Sequence, residues 1–505
     1  MDPSRQDAFV WGPWEGPSAT HHQESALPLK LTVIGSGPGG YQAAIRAAQL
    51  GAEVTVVEAA GLGGTCLHWG CIPTKTLLAS AQALENARRA SEFGIRIEGP
   101  ITPDLEAIMA RKDQVVGLQA QGIEKLMRAY GVALLRGRGR LLAPGRVAVE
   151  LAQGGVRELD SDRVILATGS SPADLPGLAR DGLGVLNSDD ILGLRVLPGS
   201  LCVVGGGVVG CELAMILAAL GCRVTIVEAM ERLLPLPSLD PEISKLLLRE
   251  MKKRRIAVHT GRVVTDLVEG PLGLRLTLGP SPLLAGAAGP PLEIAAEKVL
   301  LGVGRTLNSR GLGLAEAGVE LDRRGAVRVN QYLETCAPGV YALGDLLGSG
   351  RPMLAHMAGA EAPVAAANAL GGRETVAYEV VPAAVFTTPE VAWVGLSPIE
   401  ARGRGLMAQS AVFPFRLLGK SQAMGEIAGE CRLVHETGSG RLLGAHLIGA
   451  HASDLIHELA LCLRLGGGLA DLAHTIHPHP TLSEALRECA EAARGRCLHL
   501  PPAKA

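Results

Sequence analysis

The chain has 505 residues, enough for about three domains at ~150 residues each, which excludes a single small binding module. Its 48 Lys and Arg residues against 50 Asp and Glu leave a net charge of -2, and aromatics make up only 3%. It therefore lacks both the basic surplus and the stacking residues with which proteins hold nucleic acid or anionic lipid. With 47% hydrophobic and 19% charged residues, it is a packed globule and not a disordered chain.

Residues 1–30 contain no basic flank leading into an apolar run, as an export signal would, and they carry Asp2, Asp7, Glu15 and Glu24. They read as an extension holding Trp11, Trp14, His21 and His22 outside the folded body. Ten cysteines scattered over this length do not make a disulfide scaffold and fit an intracellular, cytoplasmic chain with a few special thiols.

Residues 31–60, LTVIGSGPGGYQAAIRAAQLGAEVTVVEAA, align without gaps on residues 201–230, LCVVGGGVVGCELAMILAALGCRVTIVEAM. Each copy opens with an apolar strand pattern and passes through G-x-G-x-x-G. It continues as an Ala- and Leu-rich helix and closes with a β-branched run ending in Glu. That is a β-α-β unit used twice. Gly35 and Gly205 permit the turn out of the strand, Gly37 and Gly207 let backbone approach a pyrophosphate, and Gly40 and Gly210 let helix and strand pack closely. Glu58 and Glu228 stand where a carboxylate can hold adenosine ribose hydroxyls. Because Glu228 repels a 2′-phosphate and Ala229 and Met230 add no positive charge, the second unit is expected to prefer NAD over NADP. Arg232 alone argues otherwise, and it reads as a surface arginine at a helix start. The apolar window 201–220 has the length of a membrane span, but its three adjacent glycines at 205–207 and Glu212 belong to the repeat.

Between the copies lies GLGGTCLHWGCIPTK, residues 61–75. Cys66 and Cys71 with His68 could be half a zinc site, but no second Cys or His pair follows nearby, and a redox disulfide fits better. On a regular helix, residues five apart lie roughly 7.5 Å apart along the axis, beyond the ~6.8 Å limit of disulfide Cα separations. The segment must bend, and Gly70 and Pro73 allow a distorted turn before a helix beginning near Thr74. The helix N-terminus would favour a thiolate there.

Further along, residues 270–291 read as a surface hairpin and loop. The run VPAAVFTTPEVAWVGLS from Val381 alternates as a strand, with Phe386 and Trp393 as core residues. Residues 436–444 read as a hairpin connection and 453–465 as a helix. The segment ADLAHTIHPHPTLSEAL holds His474, His477, His479 and Glu484, and Thr481 with Glu484 has the spacing of a capping box.

The two nucleotide units, the GGTCLHWGCIPTK segment and HPHPTLSE together resemble the pyridine nucleotide–disulfide oxidoreductases over residues 31–497. The resemblance implies an α/β fold with two Rossmann-like dinucleotide-binding domains and a C-terminal α+β interface domain. Its implied boundaries are an extension at 1–30, an FAD domain at 31–172 and 301–366, an NAD domain at 173–300, and a dimerisation domain at 367–505. FAD would lie on Gly35, Gly37, Gly40 and Glu58, and NAD on Gly205, Gly207, Gly210 and Glu228. RVILATGSSP, with Thr168 and Gly169, resembles the turn leaving the flavin domain, and VLLGVGR, with Gly304, its counterpart on return. TCAPGVYALGD would place Asp345 on the ribityl chain, although by itself this Asp reads as a turn residue after Gly344. LAHMAGAEA resembles the helix that follows, with Met357 where the family more often has Lys.

The implied activity is oxidation of a protein-bound dihydrolipoyl dithiol by NAD. Cys66 would exchange with substrate and Cys71 would lie beside the flavin. Lys75, paired with Glu212, would stand near the ring. His479, oriented by Glu484, would be the acid-base catalyst for the other subunit of a homodimer, with His477 structural. Partners would be lipoyl domains of 2-oxoacid dehydrogenase or glycine cleavage complexes, with no metal and no membrane span. Thr74 in place of Ser, and His68 and Trp69 between the cysteines, depart from the usual pattern. Two alternatives stand beside this reading. A glutathione- or mercuric-type reductase using NADPH is disfavoured by Glu228 and by the wide spacing of Cys489 and Cys497. A flavin-bearing subunit without turnover is disfavoured by the complete set of Cys66, Cys71, His479 and Glu484.

Overall fold

The computed structural model describes residues 28–270, 273–348 and 350–501; the tail readings at Trp11, Trp14, His21 and His22 lie outside them. The strand Lys30–Ile34 is apolar from Leu31 to Ile34 apart from Thr32, and it is buried. Such a run belongs at the centre of a parallel sheet covered on both faces. It pairs in parallel with Glu53–Glu58 on one side and Arg163–Leu166 on the other. Val340–Ala342 joins the edge of this seven-stranded sheet from far along the chain, and a three-strand antiparallel extension closes the opposite side.

The helix Pro38–Gln49 follows the first glycine loop, with Pro38 in its first turn where its missing N–H costs nothing. Its buried face consists of Gly39, Gly40, Ala43, Ala44, Ile45 and Ala47, mostly small residues that bring the helix axis close to the sheet. A Cβ on Gly40 would lie 1.9 Å from the Gly35 carbonyl oxygen, and one on Gly210 would lie 1.9 Å from that of Gly205. The second unit repeats the arrangement as Ser200–Val204, Val208–Leu220 and Arg223–Glu228 inside a parallel five-stranded sheet. The window 201–220 is therefore strand plus buried helix, and among the described residues no helix is long and apolar enough to cross a membrane.

Two chain crossings join the sheets. Ser170–Pro172 and Arg305–Leu307 pair as a short antiparallel ribbon, and Asn308 ties its ends by donating to the Thr168 carbonyl at 2.9 Å while its own carbonyl accepts from Thr168 Oγ1 at 2.9 Å. The segment expected as a surface hairpin and loop at 270–291 contains the strand Gly273–Pro280, which pairs antiparallel with Arg262–Gly270 as a hairpin and is the centre of a three-stranded sheet. Leu274, Leu276 and Leu278 alternate toward the core there, a period-2 pattern masked in the sequence by the surrounding Gly and Pro.

The C-terminal domain is a five-stranded antiparallel sheet backed by the helices Ala452–Arg464 and Glu484–Ala493. Phe413, Phe415, Leu433, Leu447, Ile456 and Leu486 form its core, each fully buried side chain contributing roughly 1.5–3 kcal/mol. Because helix and strand touch at Gly40, Gly40→Val is expected to overpack this contact and lower the unfolding free energy by roughly 1–3 kcal/mol. Denaturant unfolding checks this, and unchanged stability would show that the helix can ride up at no cost.

Candidate active site

Both glycine loops are gripped by their own acids. Glu58 Oε2 accepts from the Ser36 N–H at 2.8 Å and the Ser36 hydroxyl at 2.6 Å, while Oε1 accepts from the Ala60 N–H at 2.7 Å. Glu228 repeats this with the N–H groups of Gly206 and Met230. Each carboxylate is buried yet has lone pairs left for a hydroxyl. Gly35 and Gly205 adopt φ of +99° and +110°, which side chains rarely tolerate. A Cβ on Gly37 or Gly207 would meet nothing within 4 Å, so both leave open space at helix N-termini that no side chain caps. That is an anion site by geometry and dipole. Arg232 is neither exposed nor at a helix start. It sits in the loop after Glu228 and donates to the carbonyls of Leu236 and Leu239 and to the Ser244 hydroxyl. Its hydrogen bonds are thus spent on its own loop and the helix that follows.

The thiol segment forms two helices. Cys66 lies in Gly64–His68 and Cys71 is the first residue of Cys71–Arg88, so the second helix starts three residues earlier than Thr74. Pro73 does not delay it, because the first helical N–H groups have no partner to lose. The chain breaks at Trp69 and Gly70, whose ψ of -111° belongs to neither helix. This break brings the two sulfurs into hydrogen-bond contact as free thiols. The Cys66 thiol's hydrogen bond pulls Cys71 down to about 7, against burial and Glu212, with help from the charge of Lys75. The same bond, burial and the charge on Cys71 push Cys66 far up. Position at a helix N-terminus acts in the same direction on Cys71.

Lys75 donates to Glu212 at 2.8 Å, and its Nζ lies 4.2 Å from the centre of the Phe386 ring. The other Glu212 oxygen accepts the Phe386 N–H at 2.9 Å. Phe386 is consequently more than a core residue: it packs on the core and lines the site. Trp393 is buried, and its indole N–H reaches Ser238. His68 turns away from the sulfurs, its Nε2 2.8 Å from the Leu62 carbonyl oxygen, whereas Trp69 faces the cleft.

A cleft of about 1370 Å³ runs past Gly35, Gly37, Glu58, both cysteines, Lys75, Glu212, Thr168, Gly169 and Asp345. It exceeds the roughly 300–1,000 Å³ of ordinary small-molecule pockets. Asp345 accepts from the Ser170 hydroxyl at 2.5 Å, and that oxygen in turn accepts from Arg305 Nε at 2.6 Å. Buried Glu361 accepts the Gly344 N–H at 2.6 Å and so holds the turn from behind. Ser36, Ser170, Asn308 and Glu361 carry no role in the sequence reading. Only Ser170, directly after the Thr168–Gly169 turn, could have been suspected from its position. Gly304, with φ of +122°, turns the returning crossover beside this ribbon. The glycines of the second loop lie off the cleft, but Val208, Val209 and Glu212 of its helix form part of the wall.

His479 Nδ1 lies 2.9 Å from Glu484 Oε1, while Glu484 Oε2 accepts the Thr481 N–H at 2.9 Å. Half of the capping box is thus present, although the helix begins at Glu484 itself. Burial works to raise the Glu484 carboxyl, but Thr481 and His479 outweigh it and hold it below the ordinary range. His479 is 75% exposed and does not line the chain's own cleft. His477 is buried between the Thr475 carbonyl and Glu458. Among the described residues no cluster of His, Cys, Asp and Glu could hold a metal ion.

Two glycine-loop sheets flanking a dithiol, followed by a sheet-and-helix domain carrying His479, define a flavoprotein disulfide oxidoreductase architecture. Residues 29–362 match the pyridine nucleotide-disulphide oxidoreductase model and residues 381–490 match its dimerisation domain, and the chain belongs to this family. It is 40% identical to a dihydrolipoyl dehydrogenase of Thermus scotoductus over 473 residues, covering 93% of this chain and 98% of that one. It is 38% identical to a dihydrolipoyl dehydrogenase of Chlamydia muridarum over 474 residues, covering 94% and 98%. The crystal structure of LpdA from Mycobacterium tuberculosis superposes with a TM-score of 0.82 at 28% identity, covering 92% of this chain and 99% of that one.

In the reduced protein, Cys71 is expected to be alkylated as a thiolate whose population grows as pH rises through about 7. Cys66→Ala and Lys75→Met remove lowering influences and should move that midpoint upward, whereas Glu212→Gln should move it downward. Mass-resolved iodoacetamide kinetics at Cys71 follow the shift, and a profile unmoved by all three substitutions would contradict this electrostatic account.

Proposed function

We propose that this chain is an NAD-dependent dihydrolipoyl dehydrogenase acting as a homodimer on lipoyl groups carried by 2-oxoacid dehydrogenase or glycine cleavage complexes. The observation that carries the reading is the dithiol itself: Cys66, Cys71, Lys75 and Glu212 share one cleft with a nucleotide loop. FAD fits that cleft, because the bare Gly37 leaves a phosphate-sized opening at an uncapped helix N-terminus and Glu58 and Asp345 present acceptors to ribose and ribityl hydroxyls. When bound, FAD supplies two-electron transfer between thiols and nicotinamide. NAD fits the second loop on the same grounds, and the carboxylate of Glu228 favours it over NADP.

In the oxidised form Cys66 and Cys71 are joined by a disulfide. A substrate thiolate attacks Cys66 Sγ, the Cys66–Cys71 bond breaks, and Cys71 leaves as a thiolate. Its low proton affinity makes it the better leaving group, which agrees with the asymmetry of the pair. The second substrate thiol then attacks the mixed disulfide, releasing Cys66 and a closed lipoyl disulfide. His479 Nε2 takes the substrate proton while Glu484 fixes Nδ1 and stabilises the imidazolium. Since His479 is exposed and outside its own cleft, it serves the partner subunit's thiols.

Cys66→Ser is expected to abolish dihydrolipoamide oxidation, and His479→Gln to lower kcat by roughly 10²–10⁴-fold, with flavin retained in both. Refolding the two variants together should restore about a quarter of wild-type turnover, since half the dimers carry one complete site. No recovery in mixed dimers would refute catalysis across the interface.

A further inference from the structure

The loop between Glu228 and the helix Pro241–Lys253 is tied at its middle and at its C-terminal end. Midway along it the Leu234 N–H donates to the Gly206 carbonyl at 2.8 Å, on the far side of Gly206 from its bond to Glu228. Leu234 holds φ of +46° and is fully buried, a left-handed conformation that a bulky side chain keeps only when its surroundings impose it. Its neighbour Leu233 would meet a Cβ on Gly206 at 2.7 Å. Arg232, two residues before Leu234, stiffens the loop by bonding Leu236, Leu239 and Ser244.

The C-terminal end is gripped by the dimerisation domain. Ser397 donates its hydroxyl to the Pro237 carbonyl at 2.9 Å, and the Trp393 indole N–H donates to Ser238 at 3.0 Å. Arg432 Nε donates to Asp240 at 2.9 Å, with the Arg432 side chain 16% exposed and that of Asp240 4% exposed. The Asp240 N–H points at His446 Nδ1 at 3.4 Å, and His446 is fully buried. Asp240 also caps the following helix through the Glu242 N–H. Four side chains of one domain thus hold a twelve-residue strap (residues 229–240) whose middle supports the loop of another.

We infer that residues 229–240 form a strap through which the dimerisation domain positions the second glycine loop, with Arg432, Trp393 and Ser397 acting as positioning residues for nicotinamide-nucleotide binding. This rests on the reading that the second β-α-β unit holds NAD. A buried charge pair and two hydrogen bonds set the height and tilt of the strap. Releasing them lets Leu233 and Leu234 relax, and Gly206 loses the contact that keeps its N–H and carbonyl aligned beside the pyrophosphate position. None of these residues touches the thiol cleft, so the effect is confined to nucleotide affinity.

The test compares Arg432→Met, Arg432→Lys, Trp393→Phe and Ser397→Ala as flavin-loaded dimers, with Glu228→Leu as a control at the loop itself. The readouts are NADH affinity by fluorescence titration, KM for NAD and for dihydrolipoamide, kcat, and Cys71 alkylation. Arg432→Met should weaken NADH binding roughly 2- to 30-fold and raise KM for NAD in step. Its kcat, KM for dihydrolipoamide and alkylation rate should stay within twofold of wild type. Arg432→Lys should recover most of the loss. Trp393→Phe, which removes the one indole bond to Ser238, and Ser397→Ala, which removes the Pro237 bond together with the cap on the Glu400 N–H, should each weaken NADH roughly 2- to 10-fold, and Trp393→Phe carries the test should Arg432→Met not fold. Unchanged NADH affinity in the folded strap variants, with Glu228→Leu impaired, would overturn the strap while leaving the NAD site intact. Full NADH affinity in Glu228→Leu would instead overturn the NAD assignment. Equal losses for NAD and dihydrolipoamide would mark a general loosening and would also overturn the strap.

Discussion

The molecule's chemistry depends on a two-residue break. If the Cys71–Arg88 helix continued upstream without interruption, the two sulfurs would stand more than a turn apart and neither could influence the other's proton. With Trp69 and Gly70 out of helical geometry, Cys66 instead faces Cys71 across a hydrogen bond. The pair then becomes unequal. One sulfur keeps its proton far above neutrality while the other gives it up near neutral pH, and that inequality gives a dithiol–disulfide couple a direction of exchange.

The surrounding fold keeps this inequality in place. Lys75 is fixed between Glu212 and the Phe386 ring, so its charge reaches Cys71 from a set position. Glu212 belongs to the helix of the second nucleotide unit and Phe386 to the dimerisation domain. The charge environment of the thiols is therefore assembled from all three domains, which explains why the thiol helix packs its Leu77, Leu78, Ala81 and Leu84 face against Leu213, Ile216 and Leu217 of another domain.

The parts of this arrangement readable from the sequence were those with a local signature. The spacing of Gly35, Gly37 and Gly40, repeated at Gly205, Gly207 and Gly210, encodes a turn, an open cradle and a close contact, each decided by neighbours a few residues away. What escaped was set by distant partners. Arg232 reads as a surface residue until the Leu236 and Leu239 carbonyls are folded around it. Ser170 and Arg305 lie 135 residues apart and acquire meaning only when two crossovers pair as a ribbon. Phe386 looks like any core aromatic, since only a lysine from another domain turns its face into a charge contact. The thiol helix starts at Cys71 and not near Thr74 because Pro73 falls in the first turn, where a helix has no hydrogen bond to forfeit.

The two carboxylates that close the nucleotide units have a consequence for cofactor loading. Glu58 and Glu228 already engage the amides of their own turns, so each phosphate cradle is shaped while the polypeptide folds. An arriving dinucleotide meets a rigid receptor, and little disorder remains to be removed at the moment of capture. A dinucleotide could be taken up by such loops without the sheet beneath having to rearrange.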